Sequence, residues 1–273
     1  MDYTGYKVVK LSNTEMADFY ANKTNSFELV ENEYLVIEDE DEKVVDKFCF
    51  QDGQLHQVRY KSIKSAIMGE IKPRNLQQEL AFDLFDKRTI PVKLIKGVYG
   101  SGKDHCMLSK SLELVEKGIF QKIIYIRPNV TVKNVPDIGF LPNGVYEKLA
   151  WTLGPLLDKV GGEEGIKRLI EINRLELVPL LFIRGRSFEN SIIYVSEGQN
   201  ITTEIAKLIL GRVGENSELW INADNHQTDN KIFDSDNGIV KMINILSGNK
   251  LFGYVYFNET LRSSTANLAN LLD

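Results

Sequence analysis

Between residues 91 and 115 an apolar run, a glycine loop and an amphipathic helix follow one another without a gap. The run is "PVKLI" at 91–95, and the loop is "KGVYGSGKD" at 96–104. The helix carries Leu108, Leu112 and Val115 on one face and stops at Gly118. Within the loop, Gly97, Gly102 and Lys103 keep the spacing G-x-x-x-x-G-K that cradles phosphate groups. Such a junction constrains the fold. A buried strand must fix the start of the loop and a helix N-terminus its end, so that successive N–H groups converge on an anion. The bland alternative is a glycine-rich turn.

The rest of the chain keeps the same rhythm. "KIIYI" at 122–126, "LLFI" at 180–183, "SIIYV" at 191–195, "LWIN" at 219–222 and "YVYF" at 254–257 read as further strands. "TTEIAKLIL" at 202–210 reads as a helix capped by Thr202 or Thr203, with Ile205, Leu208 and Ile209 as its apolar stripe. This alternation predicts an α/β fold, a mostly parallel sheet with helices on both faces. Ligands of such sheets bind at the carboxyl ends of the strands.

Residues 1–72 differ. After "KVVKL" and a helical stretch at 14–21, apolar runs at 34–37, 44–50 and 55–60 predict a β-meander. The acidic "EDEDE" at 38–42 reads as a solvated hairpin tip rather than a partner site, and "QDGQ" at 51–54 as a turn. With Pro73 as the boundary, the expected division is a small β-rich region over 1–72 and an α/β domain over 73–273.

Charge and cysteine usage narrow the function. A net charge of −5 excludes a generally basic coat, so any contact with RNA or DNA needs a local channel. Cys49 and Cys106 lack metal-ligand spacing and suit a reducing cytosol. No apolar run reaches membrane-spanning length and the first residues carry no signal-like segment. The expectation is a soluble cytoplasmic protein without membrane contact.

Two more strand exits carry polar residues. In "IIYVSEGQN" at 192–200, Glu197 stands where nucleotide hydrolases place a water-orienting acid, preceded by Ser196. A lone Glu after a strand is ordinarily a surface residue; the nearby phosphate loop gives this one a role. In "NADNHQTD" at 222–229, Asp224 and Gln227 are candidates to read a γ-phosphate or its water, against the plainer reading of an Asn/Asp turn.

Taken in order, "KPRNLQQELAFDLF", "GVYGSGKD", "IIYIRPNV", "DIGFLPNGVYEKLAWTLGPLLD", "FIRGRSFENSIIYVSEGQN", "ADNHQTDN" and "LRSS" resemble the PhoH family of P-loop ATPases, relatives of superfamily 1 helicases. The resemblance covers roughly the last 200 residues. "ENEYLVI" and "IKPRN" resemble the region ahead of the ATPase core in longer members that carry a PIN ribonuclease domain; no nuclease activity is carried over.

The resemblance implies ATP and Mg²⁺ as ligands, with Gly97, Tyr99, Gly100, Ser101, Gly102, Lys103, Asp104 and His105 around the phosphates. It implies that Gln78 reads adenine, Lys103 meets the β- and γ-phosphates, Glu197 orients the attacking water and Gln227 senses the γ-phosphate. Arg262 resembles an arginine finger, within the chain or across a subunit boundary; its plain reading is a solvated arginine near the final helix. Arg127, Arg184 and Arg186 also stand at strand exits and are candidate phosphate contacts. A homo-oligomer, as large as a hexamer, and RNA or another single-stranded nucleic acid are the implied partners.

Two positions depart from the family pattern. The loop reads Lys103-Asp104 in place of Lys-Thr, and the strand end reads Ser196-Glu197 in place of Asp-Glu. One hydroxyl and one carboxylate remain, exchanged between what the sequence places at neighbouring strand ends, and both suit Mg²⁺. Without metal, a carboxylate about 4 Å from a phosphate costs roughly 4 kcal/mol, about a thousandfold in affinity. Asp104 therefore makes sense only with a divalent ion. Tyr99 replaces a small loop residue and Ala223 the family glycine before Asp224. Two expectations stay open: a Mg²⁺-dependent ATPase with a swapped Asp104/Ser196 metal pair, or a non-hydrolysing nucleotide-binding or assembly protein.

Overall fold

The computed structural model describes residues 3–128, 157, 160–224 and 235–261. Its centre is a six-stranded sheet built from β7 (Val92–Gly97), β8 (Lys122–Ile126), β9 (Leu175–Leu177), β10 (Ser191–Val195), β11 (Glu218–Asp224) and β12 (Phe252–Phe257). The strand order is β12-β7-β11-β10-β8-β9, and every pairing is parallel. Residues on β10 alternate between two apolar layers: Ile192 and Tyr194 face one, Ile193 and Val195 the other. Near-continuous Ile, Val and Leu therefore suit a strand buried on both sides.

Helices cover both faces. On one lie α2 (Leu76–Asp86), α3 (Lys103–Glu116) and α4 (Gly162–Glu171), which contribute Leu80, Phe85, Leu108, Leu112 and Ile166 to the first layer. On the other lie α5 (Thr203–Leu210) and α6 (Gly238–Leu246), through Ala206, Ile209, Ile239 and Met242. Thr202 is the cap of α5, accepting from the Ile205 N–H. The α/β expectation holds, with helices on both faces.

The N-terminal region is a second sheet, ordered β1-β2-β3-β4: β1 (Tyr6–Lys10), β2 (Tyr34–Glu38), β3 (Val44–Gln51) and β4 (Gln54–Gln57). The last three form the expected meander. β1 joins it in parallel with β2, through the crossing helix α1 (Asn13–Asn22). A hairpin of β5 (Ile63–Ser65) and β6 (Gly69–Ile71) follows and is tied to α3, where Glu113 accepts from the Lys64 N–H and Glu116 from the Ala66 N–H. Tyr34, Val36, Cys49 and Ile63 share one apolar cluster with Leu80, Phe85 and Trp220, so the core runs unbroken past Pro73.

Two sequence expectations are corrected. "LLFI" is no strand: Leu180–Phe182 is a 3₁₀ turn with Phe182 exposed, and the strand is the earlier Leu175–Leu177. Pro179 explains the shift. The Val178 N–H still donates to Tyr125, but proline has no N–H to extend the ladder. The ends of β7 and β10 are also not neighbours, because β11 lies between them. Asp224, at the end of β11, thus enters the space between the phosphate loop and Glu197.

Candidate functional site: a phosphate loop with a tyrosine-backed acid

The loop leaves β7 at its carboxyl end, as the fold requires of a ligand site. Gly97 is packed so tightly on β12 that a Cβ would lie 2.3 Å from the Phe257 carbonyl oxygen. Gly102 caps α3 at φ +84°, a left-handed conformation that favours glycine. Ser101 is buried and donates through Oγ to the Val98 carbonyl at 2.8 Å. The loop is fixed from outside too, since the Leu261 N–H donates to the Gly100 carbonyl at 3.1 Å.

Lys103 is buried, and its Nζ donates to the carbonyls of Gly97 at 3.0 Å and Val98 at 2.8 Å. It also pairs with Asp224. Gln78 is buried beside the loop: its Oε1 accepts from the Arg74 N–H at 2.9 Å and its Nε2 donates to the Ser101 carbonyl at 3.1 Å. Both ends of its amide are thereby oriented, with one N–H and one lone pair left over. A cavity of about 620 Å³ opens here, lined by Pro73, Arg74, Gln78, Gly100, Gly102 and His105. Tyr99 stands half exposed on the loop.

Asp104 sits in the first turn of α3 and accepts at Oδ1 from the Tyr194 phenol at 2.6 Å. Tyr194 is buried on β10 and stacked on Tyr125 of β8, ring centroids 5.7 Å apart and planes 11° from parallel. Ser196, one residue past β10, is fully buried, and among the described residues its Oγ has no hydrogen bond of good geometry; the Tyr125 phenol is the group that leans on it. Burial pushes both phenols up, Tyr125 to about 12 and Tyr194 well above the usual range, so both remain protonated donors at neutral pH.

Glu197 follows in a left-handed conformation, φ +56°. Arg127 lies 3.4 Å from its carboxylate, and Gln199 Nε2 donates to it at 2.7 Å. Gln199 turns its other end to the Asp224 N–H, at 2.9 Å, and so ties the ends of β10 and β11 together. Burial raises the Glu197 carboxyl above the usual carboxylate range. Arg127 and Gln199 oppose the rise, while Asp224 and Asp104 add to it.

The structure thus brings Lys103, Asp104, Ser196, Glu197 and Asp224 to one end of the sheet, with Gln78 at the side of the loop. Gln227, Arg262 and "DIGFLP" at 137–142, the start of one of the family-like stretches, lie outside the described residues. Arg186 donates to Glu176 at 2.7 Å and lies over the Phe188 ring, while Arg184 is exposed near Glu204. Sequence reasoning missed Gln199, Tyr125 and Tyr194. The phenols left one signal, a polar tip in each of the runs "IIYI" and "IIYV".

The residues fit Mg²⁺. Ser196 Oγ is a buried oxygen without a good partner, and Asp104 has a second carboxylate oxygen beyond the one Tyr194 takes. Mg²⁺ at phosphates needs only one or two protein oxygens.

Residues 70–269 match the family model described as PhoH-like protein. The chain belongs to the PhoH family. With this loop on this sheet, it is a nucleotide-binding protein of the P-loop NTPase type. Protein PhoH2 of Bacillus subtilis (strain 168) is 29% identical over 295 residues, covering 98% of this chain and 63% of that protein. Protein PhoH2 of Thermobispora bispora is 30% identical over 202 residues, covering 72% of this chain and 46% of the other. Protein PhoH of Escherichia coli (strain K12) is 34% identical over 139 residues, covering 49% and 38%. The chain therefore spans less than two thirds of the length of these PhoH relatives. Among the described residues no helix is long and apolar enough to cross a membrane.

Proposed function

We propose that this PhoH-family chain is a Mg²⁺-dependent ATPase that works on RNA or another single-stranded nucleic acid as a homo-oligomer. The observation that carries the enzymatic part is the buried Ser196 hydroxyl, lacking a good partner, at the same sheet end as Asp104 and next to Glu197. A buried hydroxyl with only the Tyr125 phenol beside it is placed to give its oxygen to a cation. Asp104 and Ser196 would hold Mg²⁺, which supplies charge neutralisation at the phosphates. Lys103 exchanges its two carbonyls and Asp224 for phosphate oxygens. Glu197, ionised, accepts a hydrogen bond from the attacking water and orients it, while Gln199 and Arg127 hold the carboxylate in place. The nucleic-acid part rests on the family's kinship with superfamily 1 helicases, and the oligomer part on the resemblance to the PhoH family, which implies hexamers.

One observation favours a second reading, a binder that does not hydrolyse. Lys103 is fully engaged with Gly97, Val98 and Asp224, so the loop is closed on its own cation. The two readings separate in one experiment on purified protein. Turnover of ATP with Mg²⁺, abolished by Lys103→Ala, supports the ATPase. A rise in melting temperature with ATP and Mg²⁺ but no turnover supports the binder. With neither at millimolar ATP, the cradle reading is wrong.

A further inference from the structure

The proposed metal pair raises a physical difficulty that the structure answers. An aspartate reaches further from the helix than the usual threonine and has an extra torsion, so its oxygens are poorly fixed unless something holds them. Asp104 is held. The Tyr194 phenol donates to Oδ1 at 2.6 Å, a charge-assisted distance that engages one oxygen and leaves the other. Tyr194 cannot wander, because its ring is fully buried and stacked on Tyr125, its register partner on the neighbouring strand. The Tyr125 phenol in turn lies beside the Ser196 hydroxyl. Two stacked rings thus stand behind the two candidate ligands, one phenol at each.

We propose that Tyr194 is a positioning residue that aims Asp104 at the metal and makes the exchanged pair workable. The inference rests on the metal-dependent reading above. A structural reading is available, in which Asp104 merely satisfies a buried phenol. It predicts that losing the hydroxyl affects stability but not metal.

The test is Tyr194→Phe, which removes one oxygen and keeps the ring stack. The probes are a fluorescent ATP analogue titrated in EDTA and in Mg²⁺, and Mn²⁺ occupancy followed by electron paramagnetic resonance in the presence of ADP. The expected result is unchanged nucleotide affinity in EDTA, with Mn²⁺ binding and the Mg²⁺-supported gain in affinity reduced about 10- to 100-fold. In an Asp104→Thr background, Tyr194→Phe should have no further effect on metal, because nothing remains to be aimed. Equal losses with and without metal, or metal binding that is unchanged or tighter, overturn the inference.

If the variant does not fold, the wild type decides. With ¹³C-labelled tyrosine, Mn²⁺–ADP should broaden the Tyr194 and Tyr125 ring signals where ADP alone does not; sharp signals overturn the proposal. A wild type that binds nucleotide without any metal dependence removes the metal reading and this inference together. A metal-dependent wild type with an indifferent Tyr194→Phe removes only the inference.

Discussion

Lys103 and Asp224 form an ion pair across the ends of two adjacent strands, β7 and β11, where Asp224 is the register partner of Gly97. The acid occupies the cation that a phosphate would need. Asp224→Asn removes that competitor and leaves Lys103 its two carbonyls. ATP affinity in EDTA should rise about tenfold, read by fluorescence titration. An unchanged affinity would mean that Lys103 does not leave Asp224 for the ligand.

Asp104 and Ser196 should act as one unit. Asp104→Thr leaves two hydroxyls and Ser196→Asp leaves two carboxylates, and each change alone should lower Mg²⁺-dependent turnover. Together they restore the usual family pair and recover activity. A double-mutant cycle should give a coupling of about 1–3 kcal/mol; additive losses would show that the two positions never share an ion.

If the chain is the proposed ATPase, Glu197 should set the acid side of its pH profile. Its carboxyl is raised by burial, so the ionised form that the proposal needs appears at higher pH than for an ordinary glutamate. Turnover should climb through that raised value, and Glu197→Gln should lower the rate about 10²–10⁴-fold and remove the climb. The stability sign is opposite. A raised folded pKa contributes stability at low pH that is lost as pH rises through it, so Glu197→Gln should gain on wild type in thermal melts from acid to neutral pH. A variant whose relative stability falls over that range contradicts the assignment.

Gly97 has no room for a side chain. Its Cβ would strike the carbonyl of Phe257, backbone that cannot step aside unless β12 moves. Gly97→Ala should cost about 1–3 kcal/mol in urea unfolding and weaken nucleotide binding in the same variant. Full stability would mean that the β7–β12 contact is looser than described.

At the opposite end of the sheet, Lys93 and Glu218 form a buried pair at 2.6 Å, with the Trp220 indole and Arg88 also on the Glu218 carboxylate. Glu218→Gln strands a buried ammonium and should cost about 3–5 kcal/mol. Adding Lys93→Met should recover part of that loss, since Gln still accepts from Trp220. A double variant worse than Glu218→Gln alone would contradict this account.

The parallel sheet was legible because its strands are apolar on both faces, and that pattern has few other uses. The loop was legible because Gly97 and Gly102 meet backbone demands tied to position. "LLFI" misled because apolar content does not reveal a missing donor, and only Pro179 marked the break. The pairing of Lys103 with Asp224 and the Gln199 bridge were hidden for another reason. They depend on β11 lying between β7 and β10, and strand order is not written in any local pattern.

The N-terminal sheet is stitched to the six-stranded parallel sheet at its β12 edge. The Tyr256 N–H on edge strand β12 donates to Thr4, the Tyr34 N–H donates to Gly5, and the Asn32 amide reaches the carbonyls of Asn249, Lys250 and Phe252. Residues 4–5 therefore act as a selvedge along β12, where an exposed strand would otherwise recruit another chain. The first 72 residues thus share a core with the parallel sheet and close its edge. Cutting at Pro73 would bare Leu80 and Phe85 and leave β12 without its hem, so residues 73–273 alone would start with an exposed apolar face and an open edge.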